Sequence, residues 1–77
     1  MASANTLDNK KLDDFVNGLQ SEIYCLIKKY EARDDTRQFH EALGLAKAIG
    51  YVNSNFGTNY ETSIALIVKN HEIPLRR

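Results

Sequence analysis

The sequence predicts an all-α domain in which a long N-terminal helix forms an antiparallel hairpin with a second helix, with a short third helix after it. Three observations carry this expectation. Leu12, Val16, Leu19, Ile23, Leu26 and Tyr30 are spaced alternately by four and three, the stripe of an amphipathic helix. The segment "ARDDTR" supplies turn and cap residues only a few positions long, which forces the next helix to double back. The stretch "NSNFGTNY", uncharged and rich in asparagine, carries stop and start signals between two apolar segments.

The first helix is placed over residues 9–33, with 1–8 as a flexible N-terminus. Asp8 or Asn9 offers a side-chain oxygen to an orphan backbone N–H at its start. Asp13 and Asp14 lie early and Lys28, Lys29 and Arg33 late, the arrangement that suits the helix dipole. A helix of this length runs to roughly 35–40 Å. The stripe also fits a coiled-coil seam with leucines at d, but Phe15 and Ile27 fall at g and e, where a plain zipper places charge. The wider apolar face indicates a helix contacted on two sides, as in a bundle. Gly18 weakens the helix interior by about 1 kcal/mol relative to alanine.

The second helix is placed over residues 36–54. Asp34, Asp35 and Thr36 are candidate caps, and Arg37 and Glu41 stand at i,i+4 spacing for an ion pair. Its apolar face comprises Phe39, Ala42, Leu43, Ala46, Ile49 and Gly50, with Phe56 a further candidate. Ala42, Ala46 and Gly50 recur every four residues and predict a smooth ridge open to close backbone approach. Gly57 suits the left-handed residue that closes the helix.

The third helix is placed over residues 59–71. Thr58 and Glu61 match a capping box, and Ile64, Ile67, Val68 and His71 then share one face. Because β-branched residues are frequent here, a strand over 62–69 stays open as an alternative. Pro74 ends the element, leaving residues 72–77 as a loose tail.

Size and composition narrow the function classes. At 77 residues the chain holds one domain. Such a chain buries only about 60% of the surface its unfolded form exposes, so partners often complete the core. Cys25 has no internal partner, which favours a reducing compartment. Ten basic residues balance ten acidic ones, so no net field draws in nucleic acid or anionic membrane. The N-terminus has no apolar core of a signal peptide, and the apolar run IALIV is too short to span a bilayer. A cytoplasmic location is expected.

Metal and catalytic readings find no supporting pattern, and the nucleic-acid reading only a weak one. His40-Glu41 would need a second histidine at position 44, which is glycine, and Cys25, His40 and His71 have no ligand spacing between them. Cys25 sits between Tyr24 and Leu26 on the shoulder of the apolar stripe, the place of a small packing residue. The alanine-to-glycine spacing from Ala46 to Gly50 matches a helix-turn-helix turn. The next segment, though, is YVNSNFGTNY, with no lysine or arginine to enter a groove. Arg76 and Arg77 are the residual basic feature. No catalytic residue, cofactor or metal is expected.

The remaining expectation is a non-enzymatic helical interaction module that self-associates as a dimer or higher oligomer and binds or modulates another protein. Its small size suits a bacterial or phage accessory factor. The expected oligomer or partner interface is Leu12, Phe15, Val16, Leu19, Ile23, Leu26, Ile27 and Tyr30, on the premise that this stripe exceeds what two companions can cover. A second set, Tyr24, Lys28, Lys29 and Arg33 with Tyr51, Phe56, Asn59 and Tyr60, offers contacts to a partner or a small anionic ligand. Aromatics there bury area while amides set orientation. The alternatives are an oligomeric binder of that anionic ligand at a subunit interface, or a weak nucleic-acid-binding protein. Within "NSNFGTNY" the asparagines are read as caps and turns. Whether the aromatics seal the bundle end or face a partner stays open.

Overall fold

The computed structural model describes the backbone of residues 2–72 and the side chains of residues 10–72. Three helices form: α1 over Ala2–Arg33, α2 over Thr36–Phe56 and α3 over Ile64–Glu72. No strand occurs among the described residues, so the 62–69 segment is helical where it is regular. Nor is any described helix long and apolar enough to cross a membrane.

α1 already begins at Ala2, ahead of the expected start at residue 9. Asp8 and Asn9 therefore sit within the helix instead of capping it. Both residue types are only modestly unfavourable in a helix interior, so the alanines and leucine around them carry the helix through. At its other end, Asp34 turns left-handed at φ 55 and its N–H donates to the Tyr30 carbonyl at 2.6 Å. Asp35 is extended and caps α2, its carboxylate accepting the Arg37 N–H at 3.0 Å. The Arg37 guanidinium folds back onto the same carboxylate at 3.3 Å, so its ion pair is with Asp35 and not with Glu41. A two-residue turn leaves α2 nowhere to go but back along α1.

α1 is the centre of the molecule. α2 packs along one side and α3 along the other, while α2 and α3 barely touch. The core is small: Val16, Ile23, Leu26 and Ile27 from α1, Ala42 and Ile49 from α2, and Ile67 from α3. The wide apolar face of α1 thus serves two neighbours: Ile27 is buried, whereas Phe15 stays 57% exposed. The layer is thin. Its Cα extents are 48 × 32 × 14 Å, and its radius of gyration is 14.0 Å against roughly 11.5 Å for a compact chain of this length.

One expectation about α2 is corrected. Leu43 and Phe56 do not join the core face; they are 42% and 64% exposed. Leu43 lies about 100° round the helix from Ala42, on the flank α1 does not reach. The ridge at Gly50 lies open and no other part of the chain comes close to it, since a Cβ there would meet nothing within 4 Å.

Candidate functional site

The stretch "NSNFGTNY" is organised by one side chain. Gly57, left-handed at φ 66, closes α2 by donating its N–H to the Asn53 carbonyl, and the Thr58 N–H shares that acceptor at 3.2 Å. The Asn53 amide then grips the departing chain. Its Oδ1 accepts the Thr58 hydroxyl at 2.7 Å and the Tyr60 N–H at 2.9 Å, while its Nδ2 donates to the Tyr60 carbonyl at 2.9 Å. Both backbone groups of Tyr60 are satisfied by a side chain, so residues 58–60 stay outside any helix.

That grip explains why α3 starts at Ile64 and not at residue 59. With the Tyr60 N–H and carbonyl both held by Asn53, the residues after Thr58 do not enter a helix, and Thr58 caps none. Ser63 takes the role instead, its Oγ accepting the Leu66 N–H at 3.4 Å and its carbonyl accepting the Ile67 N–H at 2.9 Å. Glu61 supports it by accepting the Ser63 N–H at 3.1 Å. Asn53 serves the turn as expected, whereas Asn55 lies in the last turn of α2 and donates to the Tyr51 carbonyl at 2.8 Å. The aromatics divide. Tyr60 packs against the core and donates its hydroxyl to Asp13, which raises the phenol's pKa above its ordinary value. Tyr51 and Phe56 point outward, each 64% exposed, and Asn59 is exposed beside them.

The seam between α1 and α3 is polar at its rim. Tyr24 stacks on the His71 ring at a centroid distance of 5.3 Å. His71 Nδ1 lies 3.0 Å from the Ile67 carbonyl and Nε2 lies 3.4 Å from the Ser21 hydroxyl. Because a carbonyl only accepts, the neutral ring carries its proton on Nδ1 and leaves Nε2 to accept from Ser21. Serine and histidine in this relation have the proton geometry of a nucleophile and base. Ser21, however, lies mid-helix, where the surrounding amide N–H groups are committed to α1 itself and none is free to hold an oxyanion. The pair ties α3 to α1. Lys28 adds to that tie: its Nζ sits 2.8 Å from Glu72 and 3.3 Å from Glu31, 5.8 Å from the Tyr24 ring centre. The hydrogen bond to Glu72, then that to Glu31, raises the lysine's pKa well above its ordinary range.

The expected interface residues therefore separate. Val16, Ile23, Leu26 and Ile27 are buried by α2 and α3 of the same chain, which withdraws them from any partner in this fold. Leu19 is half-buried against the core, and Tyr30 packs at 5.3 Å on Phe39. Leu12 is half-buried and Phe15 is 57% exposed. The premise that α1 carries more stripe than its companions can cover thus fails over its C-terminal half. There α2 and α3 cover both flanks. In the ligand set, Lys29 and Arg33 remain exposed, whereas Lys28 and Tyr24 are engaged within the chain. Cys25 is exposed, not a packing residue, because it faces away from both neighbouring helices. Among the described residues no three His, Cys, Asp or Glu side chains gather as a metal site.

The structure brings Leu43, Ala46, Gly50 and Tyr51, each named from the sequence, onto one surface. A shallow, open depression lies on α2, lined by Leu43, Ala46, Lys47, Gly50, Tyr51 and Ser54. Thr62, in the loop before α3, closes one edge. Leu43, Lys47, Gly50 and Ser54 are spaced four, three and four, a helical stripe that the sequence displays. Its two neutral small residues and one lysine hide it among polar positions.

No protein-family model matches this chain, nor does any curated protein or solved structure.

Proposed function

We propose that the chain is a non-enzymatic interaction module: a small helical protein that associates with protein surfaces, its own copies included, and acts by modulating the partner it holds. One observation carries this reading. Phe15, Leu43, Tyr51, Phe56 and Leu66 stand 42–64% exposed on a layer whose smallest Cα extent is 14 Å, and stable domains close such apolar faces with a second layer.

The anionic-ligand reading is weaker, because Lys28 is neutralised by two glutamates and only Lys29 and Arg33 are left for a ligand. The tail arginines of the nucleic-acid reading, Arg76 and Arg77, lie outside the described residues. Sedimentation of the purified protein over a range of concentrations, paired with affinity capture from the native host, tests the proposal. A particle that stays at the single-chain mass and retains no protein would sink it.

A further inference from the structure

We propose that α3 is a releasable latch: it swings off α1 about residues 61–63 while α1 and α2 stay folded together, baring the flank of α1 that carries Ile23 and Ile27. The hinge is set by where the chain is gripped. Tyr60 is held from two sides, its backbone by the Asn53 amide of α2 and its hydroxyl by Asp13 of α1. Up to that residue the chain therefore belongs to the α1–α2 hairpin. The next three residues carry one tie to α1, the Gln20 Nε2 donating to the Glu61 carbonyl at 3.1 Å, and Thr62 and Ser63 are exposed. α3 then starts at Ile64.

What holds α3 down is slight. Ile67 is the one buried residue among those described in it; Ile64 and Val68 are half-buried against the core, and Leu66 is exposed. α2, by contrast, buries Ala42 and Ile49 and packs Phe39, Leu45, Ala46 and Val52 against the same core. A helix of nine residues does not stand alone in water, so α3 keeps its shape only while it lies on α1. The remaining ties gather at its last turn, the end farthest from the hinge. His71 stacks on Tyr24 at 5.3 Å and meets Ser21 at 3.4 Å, and Glu72 meets Lys28 at 2.8 Å. The two polar ties lie at the solvent rim, where such contacts contribute little. With a hinge at one end, a weak catch at the other and few contacts to α2, α3 opens at a lower cost than the hairpin unfolds.

The latch covers part of the α1 stripe. Gln20, Tyr24 and Lys28, all touched by residues 61–72, follow one another at i,i+4, and Ile23 and Ile27 stand beside them at i+3. Both isoleucines are buried in one cluster with Ile67 while the latch is closed. Opening turns them from core into surface.

Hydrogen exchange of the full chain, followed amide by amide in native buffer and in low urea, tests the latch. Amides 67–72 are expected to exchange about tenfold faster than the slowest amides of α1 and α2, through one shared opening with a smaller urea dependence than theirs. Two variants separate this opening from global unfolding. Gly44→Ala puts a Cβ in open space on α2 and is expected to slow the hairpin's slowest amides by about two- to fivefold. Phe39→Leu removes the ring that packs on Tyr30 and is expected to speed them by about two- to tenfold. In both variants amides 67–72 keep the wild-type rate, because α1 and α2 are folded before and after the latch opens. Rates at 67–72 that follow the hairpin's in either variant overturn the latch, since α3 then opens only with the whole fold. Staggered rates along 67–72 with no urea dependence overturn it as well, since they report a fraying end and not the release of a unit.

Discussion

Replacing Asn53 with alanine tests whether one amide holds the α2–α3 connection. The substitution removes three hydrogen bonds of 2.7–2.9 Å and leaves the N–H and carbonyl of Tyr60 without their partner. Each such bond contributes about 0.5–1.5 kcal/mol net, and the site is half-buried, so water recovers part of the loss. The expected cost is about 2 kcal/mol, near the lower end of the summed range. For a domain of this size that corresponds to a drop in Tm of about 8–16 °C. Thermal unfolding followed by circular dichroism reads it directly. Asn55→Ala is the control: it removes a single exposed bond to the Tyr51 carbonyl and is expected to stay within about 0.5 kcal/mol of wild type. Asn53→Asp sharpens the test. The carboxylate keeps both acceptor roles, loses the donation to the Tyr60 carbonyl, and sits at the negative end of the α2 dipole. That variant is expected to regain stability as acid protonates the new carboxyl. Equal, small losses for Asn53→Ala and Asn55→Ala would refute the clamp and with it the account of why α3 starts late.

The same geometry gives further expected outcomes. Gly18→Ala and Gly44→Ala place a Cβ in open space within helices and are each expected to raise the urea midpoint by the equivalent of about 0.5–1 kcal/mol. Gly57→Ala is expected to lower it, because φ +66 is strained for any residue with a side chain. Ile49→Val, at a fully buried position, is expected to cost about 1 kcal/mol in equilibrium unfolding, against little for Leu43→Ala in dilute solution. The carboxyl of Asp35 is held below its ordinary 3.8 by the Arg37 guanidinium and then by the Arg37 N–H. Since its folded-state pKa lies under the unfolded one, its contribution is present above the ordinary value and lost as pH falls through the folded value. The stability gap between wild type and Asp35→Ala is therefore expected to narrow on acidification, and a gap that widens in acid would contradict it.

Much of the fold is readable because short-range chemistry decides it. The four-and-three spacing on α1, the acidic turn at Asp34–Asp35 and the left-handed glycine at position 57 act within a few residues, so their outcome needs no distant contact. The start of α3 misleads for the opposite reason. Thr58 and Glu61 form a sound cap pattern in isolation, but Asn53 reaches across the turn and engages Thr58 and Tyr60 first. Arg37 likewise has two acidic residues in range, and the cap carboxylate, held in place by the backbone, wins over Glu41. The start of α1 shows the limit of cap signals: Asp8 and Asn9 mark a place where a helix can begin, not one where it must.

The sequence by itself determined that this chain is mostly helical, that one turn falls at Asp34–Asp35 and the next begins at Gly57, and which stripe of α1 seeks cover. Those come from periodicity and from residues whose backbone preferences are local. Only the tertiary structure decided how that cover is divided. α2 and α3 take opposite sides of α1 and share few contacts, which buries Val16, Ile23, Leu26 and Ile27 and leaves the outer flank of α2 bare. The reason is that burial depends on where neighbouring helices lie in space, and helix spacing says which residues share a face but not which face a neighbour will occupy.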